Sequence, residues 1–171
     1  MDVFEAIEGR RSIRRFQGRP LPRDILERIL EAAVKAPSAG NAQPWRFIVV
    51  QGERLKEELV EAALGQGFLA QAPAVVVVCA DLIRARRAYG KRGEELYCVQ
   101  DTAAAIQNML LAAHALGVGS CWVGAFSEEG VRRILSLPAG LRPVALVPLG
   151  YPAEKPPPRP RRSLREVVEY R

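Results

Sequence analysis

Two carboxamides, Asn41 and Gln43, stand close together in residues 36–45, a segment we call the amide loop. Pro44 biases Gln43 towards an extended conformation, and alternate residues of an extended segment share a face. We therefore expect both carboxamides to point the same way, where they can read the edge of a flat, polar-rimmed ring. Proline, serine, glycine and asparagine are also ordinary turn formers, so the segment fits a plain helix-to-strand connection equally well.

A second candidate site is the basic segment 10–15, which follows a predicted first helix. If the chain is extended there, Arg10, Ser12 and Arg14 share one face. Two guanidinium groups and a hydroxyl group could then grip a phosphate through charge-assisted hydrogen bonds. The alternative is that these arginines only complement the dipole at the end of the helix.

Arg159 and Arg161 form a similar pair on the proline-rich stretch 152–160. They would also share a face of an extended arm, although a solvated basic tail would have the same composition. The two arginine clusters can serve a single anion only if the fold brings them together.

Side chains typical of acid–base, nucleophilic or metal catalysis do not accompany these segments. The only histidine, His114, falls in an apolar helix, where a packing role is favoured. Cys79, Cys98 and Cys121 are dispersed without CxxC spacing, which indicates buried thiols rather than a disulfide framework or a zinc site. The sequence therefore predicts no catalytic side chain and no metal, and an enzyme would need the chemistry of a bound cofactor.

The composition is that of one globular domain: 171 residues, 49% hydrophobic, with a net charge of +6. The excess positive charge lies near the two ends without interleaved aromatic residues, so a nucleic-acid partner is not predicted. No apolar run approaches the ~20 residues of a membrane span. The acidic first residues are unlike a secretory signal, so we expect a cytoplasmic protein.

Hydrophobic periodicity predicts alternating helices and strands. Predicted helices are residues 2–9, 22–35, 53–64, 97–116 and 128–135, with a capping box at 163–166; predicted strands are 45–51, 74–80, 120–125 and 143–151. Residues 82–95 are predicted to be a surface connection of modest order. Helix 97–116 is apolar nearly all round, and we expect a second subunit to cover it in a homodimer.

These motifs, taken in order, resemble the FMN-dependent nitroreductase family. The residues that carry the resemblance are RRSIR at 10–14, APS at 36–38 with NAQPW at 41–45, YCVQDTAAAIQN at 97–108, the glycine-bordered strand 117–126, LGYP at 149–152, and the basic tail that ends in SLREVV. Together they cover almost the whole chain.

The resemblance implies an α+β fold with a central mixed β-sheet flanked by helices, forming an intertwined homodimer with FMN at each of two subunit interfaces. Residues 1–171 would be a single FMN-binding domain, in which 152–171 is an extended basic arm with a short terminal helix. NADH or NADPH would reduce the flavin, and a nitroaromatic, a quinone or a similar electron-poor small molecule would take the electrons. Alternatives are a related flavin activity such as reductive dehalogenation, or a non-enzymatic flavin-binding protein.

The resemblance also implies roles for particular residues. The phosphate would be held by Arg10, Ser12, Arg14, Arg159 and Arg161, with Arg11 in the same cluster. The partner subunit's flavin would be reached by Pro37, Ser38, Ala39 and Asn41, beside Gln43. The ring would be contacted by the Gln66 carboxamide and by the backbone of Gly124 and Ala125. The short segment 82–95 would form only a small lid over the substrate.

Overall fold

The computed structural model describes residues 1–171 as a four-stranded sheet with helices on both faces. The helices are α1 (Val3–Gly9), α2 (Arg23–Val34), α3 (Glu53–Ala62), α4 (Phe68–Gln71), α5 (Leu82–Arg92), α6 (Cys98–Ala115), α7 (Glu128–Ile134) and α8 (Leu164–Val167). The strands are β1 (Trp45–Val50), β2 (Ala74–Asp81), β3 (Gly119–Ser120) and β4 (Leu141–Gly150). None of the helices combines the length and the apolar character that crossing a membrane requires.

The strand order is β1-β2-β4-β3, which places the valine-rich β2 between two neighbours. Every pairing between these strands is antiparallel, and parallel pairing is confined to an isolated bridge between Ser12 and Ser120. The α+β architecture expected from the sequence is confirmed, and the mixed character of the sheet rests on that bridge alone. Strand β3 is shorter than predicted, because only Val123 of the following residues pairs again, with Leu146 of β4.

Alternation along β2 divides the interior into two hydrophobic clusters. Val76 and Val78 face a cluster that includes side chains from α2 and α6, while Val75 and Val77 face a second cluster with contributions from α3 and α7. All four valines are fully buried, as expected for a strand covered by helices on both faces. The three cysteines are buried and free, which confirms the sequence-based interpretation.

The prediction of modest order for residues 82–95 was wrong. They form α5 and then a π-helical turn, Gly93–Tyr97, that leads into α6. The Asp81 side chain caps α5 by accepting a hydrogen bond from Arg84 N (2.8 Å), and Arg86 pairs with Glu94 (3.0 Å) across the turn. The polar sequence therefore belongs to an exposed, well-capped helix, which composition alone does not distinguish from a loop.

Large apolar side chains near both ends of the chain have no cover within one subunit. Phe4 on α1 is 72% exposed and Leu164 on α8 is 76% exposed. On α6, Val99 is 38% exposed although the opposite face of the helix is fully buried. Exposed apolar surface of this kind is typical of an interaction surface.

The ion pair between Glu128 and Arg142 provides a test of the pH dependence of stability. Two hydrogen bonds, Nε–Oε2 at 2.9 Å and Nη2–Oε1 at 2.8 Å, join the side chains, and the bond from Arg142 lowers the pKa of Glu128. A lowered folded pKa means that the stabilisation is complete above the ordinary value of 4.5 and is lost as pH falls through the folded value.

We expect Glu128→Gln to lower the free energy of unfolding at neutral pH by less than about 1 kcal/mol, because the pair is half exposed. The free energies of unfolding of the variant and the wild type, measured by urea titration, should become equal as the pH falls into the acidic range. A difference that stays constant from neutral to acidic pH would contradict the electrostatic origin of the effect.

Candidate functional site

The largest concave surface is a cleft of about 630 Å³ between the end of α1 and the arm that follows β4. We call it the arginine-lined cleft. Its basic and hydroxyl-bearing lining residues are Arg10, Arg11, Ser12, Arg14, Arg159 and Arg161. The structure thus brings together the two arginine clusters that lie about 150 residues apart in the sequence.

Backbone hydrogen bonds position the first cluster against the sheet. Ile13 N donates to Ser120 O of β3, and Gln17 N donates to Tyr151 O just beyond β4, both at 2.9 Å. Ala153 N donates back to Arg15 O at 2.9 Å. Residues 12–17 therefore lie as an extended strip along the rim of the sheet, in register with the start of the arm that carries the second cluster.

Glu154 fixes the same strip from the arm, and sequence reasoning missed it. Its Oε1 accepts hydrogen bonds from Arg14 N (2.5 Å) and Arg15 N (3.1 Å). These two N–H groups would otherwise be left without partners at the edge of the cleft. The only available signal was a single acid in a basic tail, which does not identify a partner 140 residues away.

The positive charge of the cleft exceeds the negative charge of its lining, since five arginines line it together with two acids, Glu8 and Glu154. None of its five arginines has a carboxylate oxygen within 4.0 Å. Burial lowers the pKa of Arg10, and the charges of Arg161 and Arg11 lower it further. Burial also lowers the pKa of His114, with the charges of Arg10 and Arg11 acting in the same direction. A small, multiply charged anion is the ligand that such a cluster would stabilise best.

A second group of predicted residues lies on the same side of the molecule. The Arg14 guanidinium lies 5.9 Å from the centre of the Phe68 ring, near the start of α4. Two residues earlier, Gln66 Nε2 donates to Ala125 O at 2.9 Å. Gly124 and Ala125 are exposed, and a Cβ atom at Gly124 would meet nothing within 4 Å. Their backbone is therefore open to a flat ligand that approaches from the cleft.

The amide loop does not have the extended conformation that Pro44 led us to expect. Gln43 has a φ of 51°, Asn41 of 55° and Gly40 of 53°, all in the left-handed region. Ser38 stabilises this conformation, since its Oγ accepts a hydrogen bond from Gln43 N at 2.9 Å. This local bond outweighs the bias that a following proline imposes.

The two carboxamides nevertheless end up side by side. Gln43 Nε2 lies 3.1 Å from Asn41 Oδ1, and both residues are exposed, as is Pro37. The pair leaves the Asn41 amide group and the Gln43 carbonyl group free of hydrogen bonds within the chain. The two carboxamides therefore lie together with an amide donor group and a carbonyl acceptor exposed, although the backbone path differs from the extended one predicted; that they bind a ligand stays a prediction.

The loop is attached to two helices. Ala39 N donates to Asp101 Oδ1 of α6 at 3.1 Å, and Arg84 Nε of α5 donates to Ala42 O. Tyr89 of α5 lies so close to Gly40 that a Cβ atom there would be 2.2 Å from its hydroxyl oxygen. Sequence reasoning missed Asp101, Arg84 and Tyr89, because each contact joins segments more than 40 residues apart.

The amide loop and the arginine-lined cleft lie near opposite ends of α6. The loop is bonded to Asp101 near the start of α6. Near its end His114 lies against Gly9, the residue before Arg10 of the cleft, and the charges of Arg10 and Arg11 act on it. Thirteen residues separate Asp101 from His114, which is about 20 Å along a helix. No residue of the loop lines the cleft. One chain therefore holds two separate candidate sites near opposite ends of α6.

Comparisons with known proteins identify relatives of the whole chain. The family model described as "Nitroreductase family" matches residues 7–68 and 61–151. A Methanothermobacter thermautotrophicus protein, described as a candidate NADH dehydrogenase/NAD(P)H nitroreductase, is 41% identical over 91% of this chain and 80% of its own length. A Bacillus subtilis FMN reductase [NAD(P)H] is 31% identical over 94% of this chain and 70% of its own length. The crystal structure of a nitroreductase family protein from Clostridium novyi NT superimposes with a TM-score of 0.81, at 34% identity, over 90% of this chain and 87% of that one.

Proposed function

The chain belongs to the nitroreductase family, and on that premise we propose that it is an FMN-dependent oxidoreductase that draws on NADH or NADPH. The acceptors that we propose are nitroaromatics, quinones and similar electron-poor molecules. The observation that carries the proposal is the excess positive charge of the arginine-lined cleft, whose five arginines form no ion pair within the chain. FMN ends in a phosphate group of the size and charge that this cleft suits.

In this proposal the arginines of the cleft bind the phosphate. Arg10 and Arg14 approach from the rim of the sheet, with the Ser12 hydroxyl between them, and Arg159 and Arg161 approach from the arm. The Nη1 atom of Arg11 donates to the carbonyl oxygens of Glu8 (2.5 Å) and Arg10 (2.9 Å), and Nη1 of Arg161 donates to those of Arg159 (3.2 Å) and Pro160 (3.1 Å). The other nitrogens of both guanidinium groups make no hydrogen bond within the chain, so each group keeps donors for the phosphate.

The ring of the flavin would lie along the exposed backbone of Gly124 and Ala125, with Gln66 beside it. When bound, FMN would supply hydride transfer from NAD(P)H and the onward reduction of the acceptor. The chain's own residues bind and orient the two ring systems. We assign no side chain to proton transfer.

We further propose that the amide loop serves the flavin of a partner subunit in a homodimer. The separation of about 20 Å along α6 between Asp101 and His114 supports this arrangement, because the loop and the phosphate site of one chain lie near opposite ends of that helix. The uncovered apolar side chains of α1, α6 and α8 would supply the dimer interface. We place the protein in the cytoplasm, where NAD(P)H is available and thiols such as its three free cysteines stay reduced.

The proposal is tested with the purified protein and added FMN. We expect a dimer in sedimentation, about one FMN bound per chain, and anaerobic bleaching of the visible flavin absorbance by NADH or NADPH. A nitroaromatic and a quinone added to the reduced protein should each restore the colour. Failure to bind FMN would refute the proposal, whereas binding without bleaching would favour a flavin-binding protein. Recovery of the colour with a halogenated phenol alone would favour reductive dehalogenation.

A further inference from the structure

Asp101 is a buried acid on α6 for which the proposed flavin chemistry has no use. Its side chain is 7% exposed, and its Oδ2 atom is fully buried without a hydrogen-bond partner. Burial raises the pKa of this carboxyl group, although the hydrogen bond from Ala39 N opposes that shift. Burying a carboxyl group with one oxygen unpaired lowers the free energy of unfolding. The role of Asp101 must therefore come from the hydrogen bond of its other oxygen, Oδ1.

The Oδ1 atom makes the only hydrogen bond from α6 to the amide loop. It accepts from Ala39 N at 3.1 Å, at the point where the 3₁₀ turn Ala39–Asn41 begins. The first N–H group of such a turn has no partner within the turn, and an acidic side chain satisfies it as an N-cap would. The turn that follows contains both Gly40 and Asn41 in the left-handed region.

The other hydrogen bonds of the loop cannot replace this one. Ser38 Oγ is used by Gln43 N, and the backbone bonds from Asn41 N and Ala42 N stay within the loop. Arg84 reaches the loop from α5, which is exposed and lies at the surface. Asp101 therefore attaches the loop to the buried helix, at the residue next to the Gly40–Asn41 turn.

We propose that Asp101 is a positioning residue that holds the amide loop in the shape in which Asn41 and Gln43 meet the flavin. This inference rests on the proposed function, since it assigns the loop to the flavin of the partner subunit. Burying the acid destabilises the folded chain, but its hydrogen bond orders the loop before the flavin binds. Flavin binding then costs less conformational entropy. Asp101 touches neither the flavin nor the acceptor in this scheme.

The test compares three variants. Asp101→Leu keeps the branch at Cγ but removes the acceptor of the Ala39 N–H group, whereas Asp101→Asn keeps an acceptor. Asn108→Leu is the matched control: Asn108 is on the same helix, and its Nδ2 donates to a backbone carbonyl, Ala32 O of α2, at 3.1 Å. Each leucine variant thus removes one side-chain-to-backbone bond of α6.

Two measurements are needed, one of them independent of FMN. In the protein without flavin, hydrogen exchange of the amides in residues 37–43 should accelerate in D101L and stay at the wild-type rate in N108L and D101N. In flavin titrations the dissociation constant of FMN should rise about 10-fold in D101L, as expected for one charge-assisted hydrogen bond, and by less than about threefold in D101N and N108L.

Unchanged exchange in D101L would overturn the proposal, as would faster exchange with unchanged FMN affinity. An equal effect of N108L on FMN affinity would also overturn it, because the effect would then come from general destabilisation of α6. If D101L does not fold, Ala39→Pro removes the donor of the same bond and carries the same two expectations. If the wild type binds no FMN, the proposed function fails, and the exchange measurement still decides whether Asp101 anchors the loop.

Discussion

Replacing Arg10 with alanine is expected to weaken FMN binding about 10- to 100-fold, because hydrogen bonds to charged groups are worth about 1.5–3 kcal/mol. Arg10 lines the cleft and is half-buried, so its bond to a phosphate oxygen would be partly shielded from water. Titration of the protein with FMN, followed by flavin fluorescence, measures the change directly.

The same substitution is expected to leave the flavin-free protein at least as stable as the wild type. Burial and the charges of Arg161 and Arg11 all lower the pKa of Arg10, so its charged form is held at a cost in the folded state. Alanine removes this cost at any pH at which the arginine is charged. Inorganic phosphate should raise the thermal midpoint of the wild type by more than that of R10A, since it binds only where the charges converge.

Arg15→Ala provides the control for both measurements. Arg15 belongs to the same strip, but it is exposed and does not line the cleft. We expect R15A to keep the FMN affinity and the response to phosphate of the wild type. Equal losses of FMN affinity in R10A and R15A would show that general electrostatic attraction, and not the cleft, binds the phosphate. A marked loss of stability in flavin-free R10A would contradict the argument that Arg10 is repelled by Arg11 and Arg161.

The convergence of the two arginine clusters shows what the sequence can and cannot predict about this site. Local spacing put Arg10, Ser12 and Arg14 on one face, because alternation along an extended segment needs no knowledge of the rest of the chain. The arrival of Arg161 beside Arg10 depends on β4 and on the pairing of residues 12–17 with the arm, which no local pattern contains. The resemblance to a family supplied that step in advance.

The two predictions that were wrong, for Gln43 and for residues 82–95, failed because each depended on a contact that local patterns do not contain. Gln43 was predicted to be extended from its neighbour Pro44, but a bond to Ser38 five residues earlier decides its conformation. Residues 82–95 were assigned low order because they are polar, although the Asp81 cap and the Arg86–Glu94 pair stabilise a helix there. In each case a specific hydrogen bond outweighed a propensity worth only a few tenths of a kcal/mol per residue.

Lys56 is a charged residue on the apolar face of α3, at helical spacing from the buried Leu59 and Ala63, and it is only 7% exposed. Its Nζ atom donates to Ala70 O (3.1 Å) and Ala72 O (2.8 Å), and no carboxylate oxygen lies within 4.0 Å. The ammonium group thus satisfies carbonyl groups at the end of α4, where the backbone has no further helical partners. The charge stays buried because the hydrogen bonds that it donates to these carbonyl oxygens, together with the dipole at the end of α4, stabilise it.

We expect Lys56→Ala to lower the free energy of unfolding by about 3 kcal/mol, since each carbonyl group left unpaired in the interior costs about 1–3 kcal/mol. Urea titration of the flavin-free protein measures the change. Lys56→Met keeps the packing of the aliphatic stem, so it should recover part of the loss and separate packing from hydrogen bonding. Lys35→Ala, at the exposed end of α2, should change stability by less than about 0.5 kcal/mol.

The consequence for function follows from the position of the segment that Lys56 holds. Residues 65–72 run from the turn that carries Gln66 through α4 to the start of β2, so loosening their far end releases the carboxamide that binds Ala125 O. K56A should therefore weaken FMN binding in addition to lowering stability, whereas a substitution of similar cost in the other hydrophobic cluster, such as Leu26→Ala on α2, should lower stability alone. If K56A loses less than about 1 kcal/mol of stability, then water replaces the lysine at the two carbonyl groups, and Lys56 does not determine where Gln66 lies.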